Sequence, residues 1–133
     1  MTARKTFLTL AACLAALPAL AEEMDPGQAL FLDNCATCHG AGARGDGPMA
    51  EFMTLPVPDL TGLTERYGGQ FPLLEVIHVI DGRQLLRGHG GPMPIFGLEL
   101  GGDSVALDGP EGTVTESPAE IVAIVRWLET IQR

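Results

Sequence analysis

The sequence predicts an all-α domain of three main helices joined by shorter ones, and three observations predict it. Apolar residues recur at helical spacing in three separate stretches. Most of the 17 glycines and 10 prolines fall between those stretches, where they punctuate the chain. The string Cys35-Ala36-Thr37-Cys38-His39 closes the first stretch and attaches a specific chemistry to it.

In chain order, Asp25 stands where an N-cap is expected and Pro26 at the first helical position, with Gly27, Leu30, Phe31 and Asn34 following on roughly one face. This helix runs into the cysteine string. A second helix is predicted over 72–81, because Leu73, Val76, Ile77 and Ile80 share a face and Gly82 supplies the stop just beyond. Its apolar stripe must be buried. The third helix opens on Ser117-Pro118-Ala119-Glu120, a capping box with proline at the first position, and continues through Ile121, Ile124, Val125, Leu128 and Ile131. Ahead of it, residues 98–117 form an insertion in which Ser104-Val105-Ala106-Leu107 and Thr113-Val114-Thr115 flank Asp108-Gly109-Pro110-Glu111-Gly112. That stretch is either a small β-hairpin or an irregular loop. Its acids Asp103, Asp108 and Glu111 match no regular calcium-loop spacing.

Cys35 and Cys38, three positions apart, can add to the two vinyl groups on one edge of a porphyrin, and His39 is then set beneath the ring as the proximal iron ligand. One covalent haem c is the cofactor this spacing predicts. A zinc site would need two further ligands in close spacing, whereas only His78 and His89 remain, separated by a Gly-rich loop. A thioredoxin-like dithiol would need a strand and helix around it and would leave His39 unexplained.

Residues 1–21 read as a signal peptide: Arg4 and Lys5, an apolar run from Phe7 to Ala16, and Ala19-Leu20-Ala21 in small-x-small form, with cleavage after Ala21. Leu10-Ala11-Ala12-Cys13 resembles a lipoprotein box, but its apolar core before Cys13 is short. Residues 22–133 then make a single domain, with no run near the ~20 apolar residues of a spanning helix. Periplasmic location follows. The full chain carries a net charge of −9; with Arg4 and Lys5 removed, six arginines against 17 acids give −11, and no lysine is left. Such a balance excludes nucleic acid and anionic membrane surfaces as partners and favours basic or apolar ones.

From these residues the chain resembles the class I, monohaem, c-type cytochromes of the bacterial periplasm. Gly27 and Phe31, paired with Trp127-Leu128, look like that family's crossing of first and last helices, in which a glycine admits close approach and aromatics interlock. Gly45-Asp46-Gly47-Pro48 and Pro56-Val57-Pro58-Asp59-Leu60-Thr61 are also similar to bacterial members. The resemblance implies a cytochrome c fold wrapped around the haem, and that the Pro48 carbonyl accepts the ring N–H of His39. Gly91-Pro92-Met93-Pro94-Ile95-Phe96-Gly97 is similar to the loop that presents the axial methionine, so Met93 is implied as the distal ligand. His89, four residues earlier, is its rival and would give bis-imidazole ligation of lower potential. Met49 and Met53 read as packing residues, Met24 as a terminal residue and His78 as a solvent histidine beside Glu75. Arg66, Tyr67, Arg83 and Arg87 are candidates to pair with haem propionates.

Two axial ligands from the chain leave no position for substrate. The expected function is therefore one-electron shuttling by a carrier rather than an enzyme, with redox proteins outside the cytoplasm as partners. A cytochrome subunit of a larger periplasmic oxidoreductase, docked through 98–117, is the first alternative. A ligand-binding haem protein with a labile sixth ligand is the second.

Overall fold

The computed structural model of the protein describes residues 23–83, 93–109 and 112–133. The proposed signal segment with Cys13, the rival ligand His89, and Arg87 and Glu111 lie outside the described residues. Five α-helices and one two-stranded antiparallel sheet make up the regular structure there: α1 Pro26–Asn34, α2 Ala36–His39, α3 Leu63–Arg66, α4 Leu73–Asp81, β1 Ser104–Asp108, β2 Val114–Pro118 and α5 Ala119–Thr130. Two 3₁₀ turns, Ala50–Phe52 and Leu60–Gly62, lie in the connection between α2 and α3.

Helix α1 starts as its sequence dictates. The Asp25 carboxylate accepts the N–H groups of Gly27 (2.8 Å) and Gln28 (3.1 Å), two of the donors a helix start leaves unpaired, and Pro26 occupies the first turn. Gly27 then lets α1 lie against α5: a Cβ on Gly27 would stand 2.1 Å from the carbonyl oxygen of Ala123, an approach no side chain survives. One turn on, Phe31 packs on Trp127 with ring centroids 4.8 Å apart and planes tilted by 43°. Phe31, Ile77, Ile121, Ile124, Val125 and Leu128 are the largest fully buried side chains, so the core is the junction of α1, α4 and α5.

The insertion before α5 resolves as a hairpin, with Ser104 opposite Pro118 and Leu107 opposite Thr115. Its presence corrects the capping box expected at Ser117. Ser117 is held in β2 opposite Val105, and its hydroxyl is buried without a partner instead of capping the helix. The first N–H groups of α5 are taken by backbone carbonyls, Ala119 donating to Asp103 at 3.0 Å and Glu120 to Gly101 at 3.3 Å. The Glu120 carboxylate accepts from the N–H of Gly101 at 2.8 Å. Long-range pairing has displaced a local cap of equal chemical merit.

Candidate haem site

Helix α1 ends at Asn34 and α2 starts two residues later, so Cys35 is the joint between them and its carbonyl accepts the N–H groups of Cys38 (3.1 Å) and His39 (2.9 Å). That tight turn sets both thiols and the imidazole toward one side. The following loop is stitched back onto the turn: Gly45 N–H donates to the His39 carbonyl (2.8 Å), Gly47 to Cys38 (3.1 Å) and Met49 to Thr37 (2.9 Å). A second segment closes over it, with Leu60 N–H donating to Ala43 at 2.8 Å. A Cβ on Gly45 would meet the Val57 carbonyl oxygen at 2.3 Å. His39 is thus buried at 9 % exposure, its ring 6.5 Å from that of Phe31.

Cys35, Cys38, His39 and Met93 all line one cavity. Its walls are Val57 and Leu60 on one flank, Val76 and Ile80 from α4 on the other, and Ile124 and Leu128 of α5 at the back. Phe96 and Pro94 flank Met93. The methionine loop is docked on the end of α4. Phe96 N–H donates to Ile80 at 2.9 Å, and a Cβ on Gly97 would lie 2.5 Å from the Asp81 carbonyl oxygen. Gly82 ends α4 in the left-handed region at φ +85°, which permits Ile95 to close on it.

The environment of Cys35 differs from that of the attacking thiol of a redox dithiol. Burial, reinforced by the neighbouring Cys38, pushes the Cys35 thiol up to about 11, whereas an attacking redox thiol has a lowered value. Among the described residues, no three His, Cys, Asp or Glu side chains group to hold a metal ion by themselves, as a zinc site would require. Burial holds the His39 imidazole below its ordinary value, partly opposed by the backbone carbonyl of Pro58. His39 Nδ1 is buried at the cavity without a hydrogen-bond partner, an orphaned polar atom of the kind that marks a site built for a bound group. Two thiols, this imidazole and a thioether around an apolar cradle fit a covalent haem.

Several expectations are corrected. Pro58, and not the expected Pro48, lines the cavity with His39, and its carbonyl is the backbone group that opposes the effect of burial on the ring. Pro48 sits on the outer side of the loop with Leu32, Ala36 and Thr37, because the stitching of Gly47 and Met49 to α2 turns it away. Met53, read as a packing residue, also lines the cavity as a second thioether. Arg66 donates to the Asp59 carbonyl at 2.6 Å, and Arg83 bridges Asp81 to the Glu116 carbonyl, so both are engaged away from the cavity. Tyr67 is 53 % exposed. His78 is half-buried and faces a groove between α4, β1 and α5, away from His39. The importance of Pro58 had one signal in the sequence: alternate prolines at 56 and 58 stiffen an extended segment at the distance of one loop from His39.

A cavity of this make-up in a helical domain is that of a c-type haem protein. The chain belongs to the cytochrome c family, whose family model matches residues 24–132. It is 30% identical over 105 residues to the cbb3-type cytochrome c oxidase subunit CcoP of Rhodobacter capsulatus, a match covering 79% of this chain and 28% of the relative. The chain thus spans less than a third of that protein's length. No solved structure matches it.

Proposed function

We propose that the protein is a periplasmic electron carrier with one haem c bound through Cys35 and Cys38, His39 as proximal and Met93 as distal iron ligand, and residues 1–21 removed on export. The observation that carries this reading is the meeting of Met93 with Cys35, Cys38 and His39 on one apolar cavity, across a long separation in sequence. When bound, the haem supplies the one-electron Fe(III)/Fe(II) couple. Cys35 and Cys38 would tether it, and His39 and Met93 would hold its iron, which would leave no open position for a substrate. A thioether favours the ferrous state and raises the potential. Val57, Leu60, Val76 and Ile80 exclude water around it.

A second reading, a cytochrome subunit of a larger oxidoreductase, is favoured by the relative being an oxidase subunit. The exposed Leu98 (96 %) and Val114 (64 %) of the hairpin region would then be covered by another subunit. Among the described residues no helix is long and apolar enough to cross a membrane. Visible spectra of the exported protein in both oxidation states test the ligand set. A ferric band from sulfur-to-iron charge transfer, and no carbon monoxide binding by the ferrous form, support His/Met ligation; the opposite pair of results favours a ligand-binding haem protein. For a basic partner, second-order electron-transfer rates should fall as salt screens the acidic surface. A flat salt profile would assign recognition to apolar contact.

A further inference from the structure

The end of α5 is tied to a segment more than sixty positions earlier by an unusual density of polar contacts. The Gln132 side chain donates to the carbonyls of Leu60 (2.9 Å) and Leu128 (2.7 Å), and its oxygen accepts from Thr64 N–H (3.0 Å). Arg133 N–H donates to the Thr61 carbonyl (2.9 Å), its Nε to the Thr61 hydroxyl (2.8 Å) and its Nη2 to the Asp59 carboxylate (2.5 Å). Asp59 in turn accepts the N–H (2.8 Å) and hydroxyl (2.7 Å) of Thr61, and Arg66 holds its carbonyl. Thr61 is buried at 4 % exposure. Helix α5 is also seated by apolar packing on α1 and α4 through Ile121, Ile124, Val125 and Leu128.

The clasped segment has one neighbour of consequence. Residues 57, 58 and 60 wall the cavity beside His39, and Val57 and Pro58 press on Gly45, whose N–H holds the His39 carbonyl. We propose that Gln132 and Arg133 are positioning residues for the haem ligand: by pinning 59–64 they hold the Pro58 backbone and the adjoining cavity wall against the His39 ring. This rests on His39 being the axial ligand. The clasp keeps the imidazole oriented and its free N–H shielded from solvent, an outer-shell role that metal-bound histidines commonly require.

The test uses the haem-loaded full chain in the ferrous state, with exchange of the His39 ring N–H against deuterium followed by NMR beside the denaturant midpoint. Wild type should show a protected, ring-shifted His39 N–H; its absence would sink the ligand assignment and the clasp with it. With that signal present, Arg133→Ala and Gln132→Ala should each speed exchange about tenfold or more, a local opening rather than global unfolding. Glu129→Gln, which removes the ion pair with Arg126 on the same helix, should leave exchange unchanged. Exchange within about twofold of wild type in both clasp variants, even with a lowered midpoint, overturns the proposal, because the contacts would then serve the fold alone. Equal acceleration in Glu129→Gln overturns it too. If Arg133→Ala does not accumulate, Asp59→Asn and Arg133→Lys decide: both keep the backbone contacts and weaken the fork, so slow exchange in both rejects the clasp.

Discussion

The two flanks of the haem cavity are built on different principles. On the His39 side, the proposed ligand belongs to a turn between two helices, and three backbone hydrogen bonds from Gly45, Gly47 and Met49 return the next loop onto it. On the Met93 side, the proposed ligand sits half-buried on a loop whose anchor is Phe96 N–H to Ile80, supplemented by the close seating of Gly97 and Ile95 on the end of α4. The first flank is woven by backbone bonds made to the ligand-bearing turn itself; among the described residues, the second is docked by a single backbone bond to the end of a helix. A ligand on a woven flank is as stable as the domain, whereas a ligand on a docked loop can leave by a local opening. A carrier gains from that difference only if the loop stays closed, so the difference can be probed from both sides.

The largest effect is expected on the woven flank. Cys35→Ala combined with Cys38→Ala should abolish covalent haem, read as loss of haem from the denatured chain on a gel, and His39→Ala should prevent a stable holoprotein from accumulating. Wild-type amounts of a six-coordinate His39→Ala product would remove that residue from its role. Next comes the helix crossing behind it. Gly27→Ala places a methyl on the Ala123 carbonyl and must push α1 off α5, at about 1–3 kcal/mol or more of unfolding free energy in denaturant titration.

On the docked flank, Met93→Ala should leave attachment intact, lower the potential and admit carbon monoxide. His89→Ala should leave the visible spectrum unchanged; a silent Met93→Ala beside an altered His89→Ala would reverse the ligand assignment. Gly82→Ala loosens the same flank without touching a ligand, because the left-handed backbone costs a non-glycine residue about 1–2 kcal/mol and the methyl meets Ile95. Its signature should be faster carbon monoxide binding with the His39 side unperturbed.

The smallest effect is on acid stability. Thr61, through its hydroxyl and N–H, and Arg133 hold the Asp59 carboxyl below its ordinary value. A depressed folded-state value contributes stability that is present above the unfolded carboxylate value, about 4, and is lost as pH falls through the folded one. Asp59→Asn should therefore lower stability modestly at neutral pH, where the charged carboxylate contributes, and flatten the fall in stability below about pH 4. An identical acid limb in the variant would show that the fork to Arg133 contributes nothing.

By itself, the sequence determined whatever depends on residues close together along the chain. The spacing of Cys35, Cys38 and His39, the Asp25 cap and Gly82 stop, and the apolar stripes of α4 and α5 are all local patterns, and each stands where the periodicity put it. Gly27, Phe31 and Trp127 were legible for a different reason: they resemble the crossing of first and last helices in class I cytochromes c, and the two helices do meet there. What only the tertiary structure decided is the pairing of polar backbone groups between distant segments. A carbonyl can accept from any donor brought within reach, so the stiff 56–58 segment marks a candidate, but only the folded loop decides that Pro58 and not Pro48 comes to the His39 cavity. The same freedom let Gly101 and Asp103 cap α5 in place of Ser117, turned the 98–117 stretch into a hairpin, and put Gln132 and Arg133 on Asp59, Leu60, Thr61 and Thr64. Apolar periodicity is written in the order of residues, whereas hydrogen-bond choice is written in their distances after folding.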